Sequence, residues 1–160
     1  MKNGICFREN QTINFLLALI LVLVAIQAHG QTKNLANTGT LTVIVNNFKN
    51  SAGHASLNLF NDGQAFPKEL DKALRKVYIT IINNKAVAVF ENLDQGEYAV
   101  SVYHDENNDK VMNTNFLGIP KEGVGASNNA KGRFGPPKYK NAKFYFNGNS
   151  QTINISIIYL

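Results

Sequence analysis

Short runs of alternating apolar and polar residues, each closed by asparagine, glycine or a charged turn, set what this chain can fold into. Leu41, Val43 and Val45 alternate with Thr42 and Ile44. Ala55, Leu57 and Leu59 alternate with Ser56 and Asn58. Val77, Ile79 and Ile81 repeat the pattern, as do Ala86, Ala88 and Phe90, and then Tyr98, Val100 and Val102. Two more runs close the chain, at about 142–146 and 151–159, the last with Ile153, Ile155, Ile157 and Tyr159 on one face. Successive side chains of a strand point to opposite faces, so a period of two marks a strand with one buried side. Six or seven such strands at short spacing predict an all-β sandwich. The first two runs, separated by Asn47–Gly53, are expected to form a hairpin.

One segment breaks the period. Phe66, Leu70, Ala73 and Leu74 fall at helical spacing, and Pro67 suits a first helical turn, where its missing N–H costs nothing. One short helix is expected over about 67–75, lying over an end or edge of the sheet.

Residues 1–30 stand outside the fold. Lys2 and Arg8 form a basic start, Phe15–Ile26 is apolar, and Ala28 and Gly30 sit two apart before Gln31. That is the layout of a secretory signal peptide. Its apolar core of about 12 residues would be roughly 18 Å long as a helix, short of the about 20 residues that span a bilayer. No stable membrane span is expected after cleavage. Residues 31–38 read as a flexible polar leader, and 39–160 as one sandwich domain. The destination is the periplasm or the extracellular space. Cys6 is the one cysteine and lies before the apolar run, so the mature domain is expected to hold together without disulfides. Removal of Lys2, Arg8 and Glu9 takes the formal net charge from +5 to +4. The basic residues are scattered, with a mild cluster at Lys138, Lys140 and Lys143, and no dense stripe of the kind that reads nucleic acid.

The sharpest chemistry lies in a long connection, about 105–141, with five glycines and three prolines. Connections of that length are functional or disordered. Its apolar residues (Phe116, Leu117, Ile119, Val124, Phe134, Tyr139) predict that it packs down on the domain. It opens with Asp105, Asn107 and Asp109 at alternate positions, followed by Asn113 and Asn115. Oxygen-bearing side chains so spaced can wrap one hard cation, which takes about six to eight oxygen ligands. A Ca²⁺ site here would use Asp105, Asn107 and Asp109, the Val111 carbonyl, Asn113 directly or through water, and Glu122 folded back as a further carboxylate. The segment lacks the glycine and bidentate glutamate of an EF-hand, having Lys110 and Phe116 at those positions. The other reading is an Asn/Asp turn held by side-chain to backbone hydrogen bonds.

His104 continues the inward alternation of Tyr98, Val100 and Val102, as a buried structural histidine would. Ser127, His104 and Asp105 could be combined on paper into a triad, but no motif sets a serine on a nucleophile turn.

The run Phe90-x-x-Leu93-x-x-Gly96-x-Tyr98-Ala99-Val100-x-Val102 resembles a strand of prealbumin-like sandwiches. The continuation from His104-Asp105-x-Asn107-x-Asp109 through Asn113-x-Asn115-x-x-Gly118-Ile119-Pro120-x-Glu122-Gly123-x-Gly125-x-Ser127-Asn128 is similar to the bacterial domain of unknown function 2141 family, over about 40–159. The chain departs from that pattern at Lys110 and Asn113, which lower the negative charge of the loop. The resemblance implies a single exported immunoglobulin-like or prealbumin-like sandwich of about seven strands. The function expected is a non-catalytic binding or scaffold protein of the bacterial envelope, with another envelope protein or a glycan as partner and a Ca²⁺-stabilised loop. The competing reading is a small envelope hydrolase, or another enzyme, that uses the 105–141 loop.

Overall fold

The computed structural model describes residues 38–160. The expected signal segment and the leader up to residue 37 lie outside the described residues, and Thr38 already begins the first strand. Eight strands follow: β1 (Thr38–Asn46), β2 (His54–Phe60), β3 (Arg75–Thr80), β4 (Ala86–Asp94), β5 (Gly96–Asp105), β6 (Val124–Ala126), β7 (Phe144–Phe146) and β8 (Ser150–Ser156). They form two sheets. One has the order β4-β1-β8, with β8 parallel to β1. The other has the order β3-β2-β5-β6, and β7 shares the outer edge of β5, beside Gly96–Tyr98.

The two sheets close on one core. Leu41, Val43, Val45, Ala88, Phe90 and Ile155 from the first meet Leu57, Leu59, Tyr98, Val100 and Val102 from the second. The residues that the alternation assigns inward are buried, except that Val77, Ile79, Ile153 and Tyr159 are partly buried against the same cluster. A smaller cluster of Phe60, Phe66, Ala99, Ala126 and Ala142 sits on the far side of the second sheet. Among the described residues, no helix is long and apolar enough to cross a membrane.

Several expectations are corrected. β1 and β2 do not form a hairpin: β1 pairs with β4 and β8, whereas β2 pairs with β3 and β5. Both edges of β2 are occupied, so none is left for β1. The 47–53 link is an arch from one sheet to the other, with Phe48 buried in the core beneath it. Gly53 at its end has φ +65° and presses against the Asp105 carbonyl, where a Cβ would lie 1.9 Å from that oxygen. The helix expected over 67–75 contracts to a 3-10 turn at Leu70–Lys72. Its apolar spacing is real, since Phe66, Leu70 and Ala73 pack on the smaller cluster. A stretch this short gains too little from helical hydrogen bonds to extend further. The four-residue α-helix, α1, lies instead at Tyr139–Ala142. The 105–141 connection is not one structureless loop. It contains β6, a 3-10 turn at Ser127–Asn129 and α1.

Leu57 and Ile155 are both 0% exposed, one from each sheet. Leu57→Ala or Ile155→Ala is expected to cost about 2–5 kcal/mol, read as a lower midpoint in urea unfolding. Val87→Ala, at an exposed position, should change it by about 0.5 kcal/mol or less.

Candidate functional site

The site grows from the end of β5, where His104 and Asp105 are consecutive and so point to opposite faces. His104 points into the core and is fully buried. Its Nε2 lies 2.7 Å from the Ala52 carbonyl oxygen. A carbonyl only accepts, so Nε2 carries the hydrogen. In the neutral ring Nδ1 then accepts from the Tyr159 hydroxyl at 2.8 Å, and that hydroxyl accepts from the Lys49 N–H at 3.0 Å. Phe48 and Tyr159 pack edge-on against the imidazole.

Asp105 points outward and is 1% exposed. Its carboxylate accepts the backbone N–H of Asp109 at 3.2 Å and of Lys110 at 2.9 Å. The chain can turn back so tightly because Asn108 and Lys110 adopt left-handed φ of +60° and +62°. Asp109 repeats the motif. One of its oxygens accepts the Val111 N–H at 2.8 Å, and the other accepts the side-chain amides of Asn107 and Asn113 at 2.7 and 2.9 Å. These three donors hold the Asp109 carboxyl below its ordinary pKa, with Asn113 contributing most. The Asn113 N–H in turn donates to Glu122 at 3.0 Å.

Residues 113–121 fold into a small hairpin on this base. Thr114 bridges Pro120, and the Lys121 N–H donates to the Asn113 carbonyl. The Asn115 side chain accepts from the Leu117 and Ile119 N–H groups, and Gly118 supplies φ +75° at the tip. The tip is apolar and exposed: Phe116 is 94% and Leu117 68% accessible. The expectation that the apolar residues of the loop pack down therefore fails for Phe116, Leu117, Ile119 and Phe134, all exposed. The hairpin pairs with itself, which carries its apex away from the sheets. Tyr139 does pack down, edge-on against Phe66.

The structure thus joins Asp105, Asn107, Asp109 and Asn113 in one hydrogen-bond network and attaches Glu122 through the Asn113 backbone. The Val111 carbonyl touches this network only through a 3.4 Å contact from the Asn113 amide. Among the described residues, no group of three or more His, Cys, Asp or Glu side chains stands close enough to hold a metal. Two buried carboxylates are hydrogen-bonded yet lack an ion-pair partner among the described residues. Asp105 and Glu122 are the buried acidic residues among those described, and no basic side chain there forms an ion pair with either. Burial, and then the charges of Asp105 and Asp109, push the Glu122 carboxyl above its ordinary pKa, against the backbone hydrogen bonds it accepts. The neighbouring Glu106 has a partner. Burial alone would raise its pKa, but hydrogen bonds from Lys49 and Asn50 and the Lys49 charge hold it down.

The Ser127, His104 and Asp105 arrangement is not assembled. Ser127 is buried, donates to the Ala142 carbonyl at 2.6 Å and accepts the Val100 N–H at 2.9 Å. His104 and Asp105 are engaged as described above. Sequence reading missed the roles of Asn115 as clasp of the hairpin and of His54, whose ring meets the Asn108 side chain. The signal for Asn115 was present in its spacing to Gly118.

The sequence profile of the family described as "Uncharacterized protein conserved in bacteria (DUF2141)" matches residues 43–154. The chain belongs to that family. The match takes in the whole DUF2141 loop, from Asp105 to Glu122, and both sheets. No curated protein matches the chain. Among solved structures it is similar to a pilus-presented adhesin, Spy0125 (Cpa), at 14% identity and a TM-score of 0.26, covering 78% of this chain and 28% of that one. A TM-score that low falls short of a shared fold, so the assignment of this DUF2141 chain to the β-sandwiches rests on its own strand pairing.

Asp105→Ala leaves two backbone N–H groups without their acceptor. It is expected to cost about 1–3 kcal/mol in urea unfolding, whereas Asp105→Asn, which keeps one accepting oxygen, should cost less.

Proposed function

We propose that this chain is an exported, non-catalytic β-sandwich of the bacterial cell envelope that binds another envelope protein or a glycan, and that Ca²⁺ stabilises its 105–122 loop. One observation carries the reading. An exposed Phe116-Leu117 apex stands on a base whose buried carboxylates, Asp105 and Glu122, have no basic partner among the described residues. Bulky apolar residues held in water by an ordered scaffold mark a contact surface, and aromatic anchors dominate binding energy at such surfaces. A buried carboxylate without a counter-charge is costly, and a hard cation with oxygen ligands would relieve it. Asp105, Asp109 and Glu122 supply the charge, and rotation of the Asn107 and Asn113 amides would turn their oxygens inward. The Val111 carbonyl is the remaining candidate ligand. Lys110 opposes the cation, so the affinity belongs with weak extracellular sites, at about 10⁻⁴–10⁻³ M.

Thermal unfolding in EDTA and in about 5 mM Ca²⁺ tests the cation. A ligand that binds only the folded state at roughly 5–50 times its Kd adds about 1–2.3 kcal/mol, a rise of several degrees for a domain of this size. The rise should vanish in Asp105→Ala and Asp109→Ala. Identical midpoints in both buffers, with no calorimetric signal, would remove calcium from the account.

Glu122 gives the pH dependence. Its folded-state pKa is raised above the ordinary glutamate value of 4.5, so its ionised form opposes folding above that raised value. Stability from this group therefore rises as pH falls through the raised value, and is fully gained below 4.5. Glu122→Gln should be at least as stable as the parent at pH 7 in EDTA, yet should not respond to Ca²⁺. A loss of stability in EDTA at pH 7 would contradict the frustrated charge.

A further inference from the structure

From Gly123 to Leu160 the sequence has no aspartate or glutamate, but five basic residues: Lys131, Arg133, Lys138, Lys140 and Lys143. Lys143 pairs with Glu97 at 2.7 Å. The other four are exposed, and none forms an ion pair among the described residues. All four lie in or beside one tight loop between the Ser127–Asn129 turn and α1.

That loop is held at both roots. Ala130 and Tyr139 pack on the cluster of Phe60, Phe66 and Ala99. Backbone closes its neck: a Cβ on Gly132 would lie 1.9 Å from the Gly135 carbonyl oxygen and 2.6 Å from that of Pro136. Gly135 turns the chain with φ +116°. Arg133 and Phe134 are left at the tip. Phe134 is 94% exposed, and the Arg133 guanidinium carbon lies 5.5 Å from its ring centroid. The acidic groups that act on Tyr139 at the root are already engaged. Glu97 is bound to Lys143, and Asp62 accepts the Gln64 N–H at 2.8 Å. The roots lie by Ala99, toward the start of β5, whereas the Phe116 apex leaves the end of that strand.

We propose that this loop docks on an anionic lipid bilayer, with Phe134 entering the apolar layer and Lys131, Arg133, Lys138 and Lys140 meeting lipid phosphates. The charge selects an anionic partner, and the ring selects lipid among anions. A soluble acidic polymer would neutralise the four cations and leave the phenyl ring, which has no polar atom, in water. A bilayer surface receives both kinds of group, because its phosphates lie directly above hydrocarbon. The guanidinium fork matches phosphate oxygens, and each lysine or arginine near an anionic leaflet adds to the attraction. A cation stacked on the face of Phe134 travels with the ring to the headgroups. The contact is peripheral and needs no membrane-spanning segment. It is separate from the Phe116 apex and does not rest on the calcium reading.

The sequence has no tryptophan, so Phe134→Trp in the full chain places one fluorophore at the tip. Its emission reports the surroundings of the loop, whatever residues 1–30 contribute to vesicle binding. Titration with phosphatidylglycerol vesicles should shift the emission to the blue, and lipids brominated in the acyl chain should quench it. Pure phosphatidylcholine vesicles should do neither. In that background Lys131→Gln, Arg133→Gln or Lys138→Gln should each weaken binding about fivefold, and added NaCl should weaken it further. Phe116→Trp, at the other fully exposed phenylalanine, should keep an unshifted emission. All these positions are exposed, and unchanged circular dichroism would show that the fold is intact. No shift with anionic vesicles, an equal shift with phosphatidylcholine, binding indifferent to the charge variants, or a shift in Phe116→Trp alone would each overturn the proposal. So would an equal shift with soluble polygalacturonate, which would assign the loop to an acidic glycan.

Discussion

Two neighbouring residues at the end of β5 organise the part of this molecule that stands out from the sandwich. His104 faces inward and ties the β1–β2 arch, through the Ala52 carbonyl, to the C-terminal segment, through Tyr159. Asp105 faces outward and fixes the turn that launches the long connection. A strand must point consecutive side chains to opposite faces, so one peptide unit serves both the core and the loop. Both groups are buried and both are satisfied. A buried polar network that is fully paired specifies one arrangement, because breaking any member leaves a group stranded away from water. Gly53 adds a steric requirement, since its backbone lies against the Asp105 carbonyl where no side chain fits.

Beyond Asp105 the balance of forces changes. Inside the sandwich, apolar burial does the ordering. In the 106–122 segment the apolar residues are at the apex, in water, and order comes from asparagine and aspartate side chains closing turns on the backbone. That design concentrates negative charge near buried groups, and Glu122 bears the cost as a carboxyl that resists ionisation. The exposed apex and the strained charge are two sides of one arrangement: the hairpin is displayed because its base, not its tip, carries the anchoring groups.

The alternating pattern revealed the strands and the inward residues well, because burial on one face acts at every second position. It did not reveal pairing. Leu41 and Leu57 face one core from opposite sheets, and the pattern is the same for a hairpin as for an arch; Phe48, buried in the link, was the clue. The 67–75 segment shows a true apolar stripe that packs without a helix. β6 escaped notice because Val124-Gly125-Ala126 is too short to show a period, and it is a strand only because β5 offers it an edge. In the loop, spacing marked Asp105, Asn107, Asp109 and Asn113 as candidate cation ligands, and the four share one hydrogen-bond network. It could not reveal that backbone N–H groups occupy the Asp105 oxygens, since that depends on the left-handed φ at Asn108 and Lys110. It also missed the exposure of Phe116, which depends on the hairpin pairing with itself.

The central claim is that the connection after β5 is an ordered finger pinned at Asp105, Asp109 and Glu122. Amide hydrogen exchange read residue by residue at Asp109, Lys110, Val111 and Asn113 tests it most directly. These four N–H groups donate to the three carboxylates. They should exchange far more slowly than amides of an unstructured chain in the absence of any cation, and more slowly again in millimolar Ca²⁺. Exchange at unstructured rates in both conditions would contradict the account.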